Sequence, residues 1–337
     1  MSLTIYDISE KANVSIATVS RVLNGSTKVK ESTRKKILDI IEEYNYTPNA
    51  SARAMSSQSM KTIGILCADS SDIFLAKAIY YIEQELAQNG YESLLCCTGY
   101  DQNMKKHYVD LILSKKIDAL IFVGSNFIGF SNEENQYIKD SSKKLPVMLL
   151  NASLDYPNVY STLCDDEASM VSATKEMLKS GVKNILYVYN SKSYSSVKKL
   201  SGFKKAMKDI VSEEVLDDCL LYISDPMASI EDVADEIATY AQTHSFDGII
   251  CADDNLAMSA IKYAKRNNLD LPGDLSVIGY NNSMLTSCCT PELTSVDNKL
   301  ETLTHQLVKT LMGVLNGEEL PKKSIFDGVL VKRGTTR

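Results

Sequence analysis

Residues 4–24 read TIYDISEKANVSIATVSRVLN. Thr4 is a good N-cap, and Asp7, three residues on, can answer its backbone N–H in a variant of the capping box. Ile5, Ile8 and Ala12 recur at helical spacing, so one short helix with one apolar face is expected. Asn13 tolerates the left-handed conformation that a tight turn needs. Ser15 then caps a second helix, 16–23, with Val19, Val22 and Leu23 as its buried stripe. The opposite face carries Ile16, Ala17, Ser20 and Arg21: short residues first, then one long fork of donors. A helix whose N-terminal end enters a major groove has this form, and Arg21 is able to place two donors on guanine O6 and N7. An ordinary helical hairpin with a solvated face would account for Asn13 and Ser15 equally well, so the continuation decides.

A third helix is expected over about 31–45, with Ile37, Leu38, Ile40 and Ile41 as its buried set and Arg34, Lys35 and Lys36 facing out. Lys28, Lys30 and Thr33, in or just after the preceding loop, are placed to reach phosphate oxygens. Residues 46–62, YTPNASARAMSSQSMKT, follow. Pro48 breaks the helix, and the small, polar composition reads as a linker.

The pattern VSxxTVSRVLNG, then a third helix, then YxPNxxAR, resembles the lactose-repressor (LacI/GalR) family of bacterial transcription regulators. The resemblance runs over essentially all 337 residues. It implies a sequence-specific repressor of a carbohydrate-utilisation operon, bound as a homodimer to a pseudo-palindromic double-stranded DNA operator. It assigns DNA contacts to Thr4, Tyr6, Ser15, Ile16, Ala17, Thr18, Ser20, Arg21, Asn24, Lys28, Lys30 and Thr33 in the head. It further assigns Asn49, Ala52, Arg53 and Met55 in a hinge helix that folds on DNA. There Met55 stands where a Leu usually wedges into the central minor-groove step. Ser51 replaces a frequent apolar contact between hinge helices. Lys30 replaces a capping Ser, exchanging a cap for a phosphate partner.

Beyond residue 62 continuous apolar strands alternate with amphipathic helices. Strands are expected at 62–67, 91–97, 118–123 and 146–151, then at 158–164, 184–189, 220–223, 246–251 and 275–280. Helices between the first set begin near Ile73, Gln102 and Asn132. Two such runs mean two doubly wound parallel sheets, each covered on both faces. The expected fold is therefore an all-α helix-turn-helix head (1–47), a hinge (48–61) and an α/β effector domain (62–337) of two parallel-sheet lobes. By resemblance that body is periplasmic-binding-protein-like and crosses between lobes near 160, 291 and 321. Lobe one would take about 62–160 and 291–320, and lobe two about 161–290 and 321–337. A helix over 299–315 would return to lobe one. No leucine heptads follow the last strand, so a dimer is expected rather than a tetramer.

Ligands of such sheets sit beyond the strand carboxyl ends, in the cleft between lobes. The resemblance places the effector-binding set at Asp72, Phe74, Asn151, Ser195, Lys199, Asp253, Asn281 and Asn298. Phe74 would stack on a flat apolar face such as a sugar ring. Two positions depart from the family: Lys199 stands for a usual Arg, and Asn281 for a usual Asp. Asp253 stands where Asn is common. A Lys with no Asp opposite would suit a sugar acid as well as a sugar, since Lys lacks the bidentate fork of Arg.

Net charge is −7, with eight Lys/Arg against six Asp/Glu in residues 1–60 and a balance of −9 in the remainder. A weakly basic head on an acidic body suits DNA contact at one end only, with two heads cooperating. No apolar run of 18 residues and no signal-like start occur, so a cytoplasmic protein is expected. The eight cysteines show no CxxC and no zinc-ligand spacing, and read as reduced core residues. His107, His244 and His305 have no metal-ligand partner at i+4, so neither metal nor cofactor is expected. The carboxylate pairs Asp165-Asp166, Asp217-Asp218 and Asp253-Asp254 do not converge as sequence neighbours, and GxSxG, GxxxxGK[ST] and GxGxxG motifs are missing. Two alternatives stay open: control by a protein corepressor docking on lobe one, as in the catabolite-control branch of the family, and a carbohydrate-processing enzyme.

Overall fold

In the computed structural model, helix α1 (Ile5–Ala12) starts where its cap predicts. Thr4 N donates to Asp7 Oδ2 at 2.7 Å, and Asp7 N donates to Thr4 Oγ1 at 3.4 Å. Asn13 ends it in the left-handed region (φ 54°, ψ 51°). Helix α2 (Ile16–Leu23) follows, and Thr18 N donates to Ser15 Oγ at 3.2 Å. Helix α3 (Glu31–Glu43) begins after Lys30, whose side chain makes no cap. Ile8, Ala12, Val19, Val22 and Ile37 form the buried centre of these three helices. Leu38, expected inside, is 46% exposed. A step of ~100° per residue turns it away once Ile37 faces the core. Two residues expected to face out are also committed elsewhere. Arg34 donates to Ser26 O, and Lys36 Nζ donates to Ala12 O at 3.0 Å. Lys36 thereby sits at the negative end of the α1 dipole.

The structure describes residues 4–23, 26, 28–44, 46, 59–225 and 228–337. Asn24, and residues 48–58 of the expected hinge with Asn49, Ser51, Ala52, Arg53 and Met55, lie outside the described residues. The chain divides into two compact units, Met1–Thr62 with Lys116–Asp118, and Ile63–Lys115 with Ala119–Arg337.

The second unit holds two six-stranded sheets among the described residues. Sheet one has the order β11-β5-β4-β3-β1-β2, from β1 (Thr62–Cys67), β2 (Glu92–Cys97), β3 (Ala119–Val123), β4 (Val147–Leu150), β5 (Val159–Cys164) and β11 (Lys323–Phe326). Sheet two has the order β12-β10-β9-β8-β6-β7, from β6 (Ile185–Tyr189), β7 (Leu220–Tyr222), β8 (Gly248–Cys251), β9 (Ser276–Tyr280), β10 (Thr294–Asp297) and β12 (Val329–Val331). The central pairings are parallel, as β1 with β3 (Ile63 opposite Ala119) and β6 with β8 (Ile185 opposite Gly248); β12 closes sheet two antiparallel to β10. Strands β3, β4 and β9 are buried at every residue, as expected for sheets covered on both faces.

Helices α4 (Ile73–Gln88), α5 (Gln102–Leu113) and α6 (Gln136–Ser142) alternate with the first strands. Helices α7 (Asp166–Lys179), α8 (Tyr194–Met207), α9 (Glu213–Asp217), α10 (Ile230–Tyr240) and α11 (Asp254–Arg266) alternate with the second set. Helix α12 (Leu300–Leu315) returns to lobe one, where Leu303, Leu307 and Leu311 join Ile63, Ile65 and Ile121 in its core. The passages between sheets fall at 165, 298–299 and 327–328, later than the expected 160, 291 and 321. Strands β5 and β11 thus belong to lobe one, and β10 belongs to lobe two. For the last two passages the cause is local: TSVD and KSIF are four residues long and mix polar with apolar groups, and VLV is three residues long, too little pattern to read as strands; β5 was read as a strand but counted with the second set.

Helices α7 and α8 pack through Gly202. A Cβ there would lie 2.4 Å from Glu167 O and 2.9 Å from Met170 Cβ. Gly202→Ala is expected to cost about 1–3 kcal/mol through overpacking. At ~2–4 °C per kcal/mol for a domain of this size, thermal melting reads the loss directly. An unchanged melting temperature would mean that the helices do not need this approach.

Candidate DNA-contacting face and ligand cleft

On the head, α2 turns Val19 and Val22 inward and leaves Ile16, Ala17 and Arg21 exposed, with Ser20 and Thr18 half-buried beside them. Tyr6 is 66% exposed on α1, Lys28 and Lys30 are exposed, and Thr33 is half-buried at the start of α3. The Thr4 hydroxyl already donates to Asp7 Oδ2 at 2.6 Å, and Ser15 Oγ lies 2.9 Å from Thr18 Oγ1. Hydrogen bonds from Thr4 hold the Asp7 carboxyl below its ordinary pKa. These two hydroxyls therefore serve the helix starts, while Tyr6, Arg21, Lys28 and Lys30 project from them.

In the second unit a cleft of about 630 Å³ opens at the carboxyl ends of both sheets. Helix starts shape it. Asp72 caps α4, accepting from Leu75 N at 2.8 Å; Asp253 caps α11, accepting from Leu256 N at 2.8 Å; Ser193 caps α8. Each cap follows a strand end, which is how a parallel sheet delivers polar side chains to one edge. Seven of the eight expected residues line the cleft: Asp72, Phe74, Asn151, Ser195, Lys199, Asp253 and Asn281. Asn298 does not. It is buried behind Asn281 and donates Nδ2 to Asn281 Oδ1 at 3.0 Å, so it orients a lining residue. The cause is that residues 294–297 are strand β10, which carries Asn298 into the lobe rather than to its edge.

Lys199 is committed on two sides. Its Nζ donates to Ala252 O at 2.8 Å and stands 3.8 Å from the centre of the Tyr280 ring. Beneath it, the fully buried Asp166 accepts from Ser195 Oγ at 2.5 Å and from Tyr280 Oη at 2.6 Å. Burial raises the carboxyl pKa of Asp166, Asp253, Asp72 and Asp254, while Lys199 pulls each of them down. The cleft wall also includes Asp69, held by Ser71 N at 2.8 Å. The lysine that looked unopposed in the sequence is thus surrounded by carboxylates from three loops. Asn151, at φ 62°, keeps its buried Oδ1 without a hydrogen-bond partner, an acceptor left for a ligand.

Sequence reading missed Asp166, Tyr280 and Asp254. Asp254 accepts from Ser295 Oγ and Ser283 N, both at 2.6 Å. It also missed a hydrogen bond across the cleft, from Ser125 Oγ of lobe one to Ser193 Oγ of lobe two at 2.9 Å. No sequence signal marks these partners, because each pair is joined only by the fold.

Asp253→Asn tests the electrostatics. Asn can still cap α11, but it removes a charge that burial disfavours. The unliganded variant is expected to melt higher than wild type at neutral pH, by ~2–4 °C for each kcal/mol relieved. For a carboxyl whose folded pKa is raised, the native state binds the extra proton, so wild-type stability rises as pH falls through that raised value. The gap between the two proteins should therefore shrink on acidification, and a gap independent of pH would contradict a charged Asp253.

A three-helix head with an exposed second helix that carries Arg21, followed by a two-lobed body with a polar cleft, is the architecture of a DNA-binding regulator. Residues 4–49 match the profile of bacterial regulatory proteins of the lacI family, and residues 174–336 that of the periplasmic binding protein-like domain. A relative, an HTH-type transcriptional regulator of Lachnoclostridium phytofermentans, is 46% identical over 335 residues, 99% of each chain. Catabolite control protein A of Priestia megaterium is 30% identical over 325 residues, 94% of each chain. The crystal structure of the lac repressor dimer bound to operator and the anti-inducer ONPF shares the fold, with a TM-score of 0.86 at 22% identity, covering 100% of this chain and 99% of that one. The chain belongs to the lacI family of bacterial regulatory proteins. It is a DNA-binding transcriptional regulator, and the reading of a carbohydrate-processing enzyme falls with that kinship. Among the described residues no helix is long and apolar enough to cross a membrane.

Proposed function

We propose that this regulator is a cytoplasmic, homodimeric repressor of a carbohydrate-utilisation operon. Two heads would read a pseudo-palindromic operator, with Arg21 on base edges, Tyr6, Lys28 and Lys30 on the backbone, and Met55 as the minor-groove wedge. A small polyhydroxylated ligand in the cleft would control operator affinity through the order of the hinge. The observation that carries the ligand class is the excess of acceptors at the cleft: the Asp72 and Asp253 carboxylates and the unpartnered Asn151 Oδ1. Hydroxyls donate to such groups, and Phe74 offers a flat face for a ring. Between the sugar and sugar-acid readings of Lys199, the carboxylates around it favour the neutral sugar.

Isothermal calorimetry against neutral hexoses and disaccharides and against their uronates and aldonates tests this. The expected result is binding of a neutral sugar that Asp253→Ala weakens. Binding of sugar acids alone, lost in Lys199→Met, would overturn it. Kinship with a catabolite control protein supports a second reading, control by a protein corepressor on lobe one. Operator affinity indifferent to every small molecule would favour that reading.

A further inference from the structure

Two thiol sulfur atoms, Cys67 Sγ and Cys97 Sγ, lie 3.7 Å apart. They stand thirty positions apart in sequence, at the carboxyl ends of β1 and β2. Thr98 N donates to Cys67 O at 2.8 Å and Gly99 N to Ala68 O at 2.9 Å, so the backbone holds the two strand ends side by side. Cys67 is fully buried, whereas Cys97 is exposed. We propose that Cys67 and Cys97 form an oxidative modification site, closing to an intrachain disulfide on reaction with a hydroperoxide.

The chemistry assigns different roles to the two thiols. Burial, with Cys97 alongside, pushes the Cys67 thiol up to about 12, so it stays protonated at neutral pH. The exposed Cys97 is the attacking thiol. It attacks the terminal oxygen of the hydroperoxide; the S–O bond forms, the O–O bond breaks, and the alkoxide or hydroxide leaves as alcohol or water with the Cys97 proton. The Cys67 sulfur then attacks the Cys97 sulfenic acid; the S–S bond forms, the S–O bond breaks, and hydroxide leaves as water with the Cys67 proton. Two thiols lose two electrons and the peroxide gains them. Cys96 is the neighbour in sequence, but successive strand side chains point to opposite faces, so it does not compete for Cys67.

Closure brings the sulfur atoms from 3.7 Å to the ~2.05 Å of a disulfide. The shift falls two residues before Asp69 and three before Tyr100, both of which line the cleft. Oxidation thereby acts on the lobe-one wall of the cleft, whichever ligand the cleft takes.

The test is hydrogen peroxide treatment of the full chain, N-ethylmaleimide trapping and non-reducing peptide mass spectrometry, with hydrogen exchange followed over 68–75 and 98–101. Wild type and Cys96→Ser should give one Cys67–Cys97 peptide pair, two hydrogen masses light and reversed by dithiothreitol. Exchange over both loops should change on oxidation. Cys97→Ser, at an exposed position, should give neither the link nor the change. Cys67 still alkylatable after denaturation, Cys97 stopped at sulfinic acid, or a Cys97–Cys97 link between two chains would overturn the site. Loop exchange unaltered by a formed link would overturn its action on the cleft.

Discussion

Replacing Arg21 with Ala is expected to remove ~1–3 kcal/mol from specific binding at each half-site and to relax preference at one base pair there. The residue is exposed on α2, beside Ile16 and Ala17, on the side opposite the buried Val19 and Val22. Its guanidinium has no carboxylate partner among the described residues, so its loss costs the fold little. The fork of donors matches O6 and N7 of guanine, which a truncated side chain cannot replace. Lys28→Ala and Lys30→Ala should instead weaken all sequences alike and lower the salt dependence, because phosphate contacts carry no base information. Gel shifts over a half-site substitution series separate the two patterns. Uniform weakening by Arg21→Ala would place Arg21 on the backbone.

Ile8→Ala should have the larger effect, acting through folding. Ile8 is fully buried at the centre of the head, with Val19 and Ile37. Truncating a buried Ile costs about 2–5 kcal/mol. A core this small rarely supplies more than ~3–5 kcal/mol in total. The head is therefore expected to lose its fold and operator binding together, while the second unit keeps its melting transition and its cleft. Hydrogen exchange over residues 5–43 should show loss of protection there alone. Retained operator binding would mean that the head draws stability from something other than this core.

The head was legible because its signals are local. Thr4 and Asp7 form the expected cap, and Asn13 takes the left-handed turn. Strands β1 to β9 were legible as apolar runs between helical patterns. Strands β10, β11 and β12 were not, because their identity depends on the neighbours that they pair with, and the last two lobe passages moved with them. At the cleft, Asp72 and Asp253 were readable as residues between a strand and a helix. The electrostatic setting of Lys199 was not. Asp166 reaches it from the start of α7, Tyr280 from β9 and Asp72 from the other lobe, and no spacing in the chain announces that meeting. Cys67 and Cys97 illustrate the same limit: adjacent cysteines are conspicuous in sequence, yet the contact that forms is between strands.

The central claim is that this chain reads one operator and that occupancy of its cleft alters the reading. Quantitative footprinting of the purified protein on its own upstream DNA, with and without the neutral sugar identified by calorimetry, tests it most directly. The account predicts a protected pseudo-palindrome whose affinity shifts by roughly 5–150-fold with the sugar, a coupling of ~1–3 kcal/mol, and a reciprocal shift of sugar affinity on operator binding. Protection without sequence preference, or an operator affinity unchanged while the cleft is saturated, would contradict it.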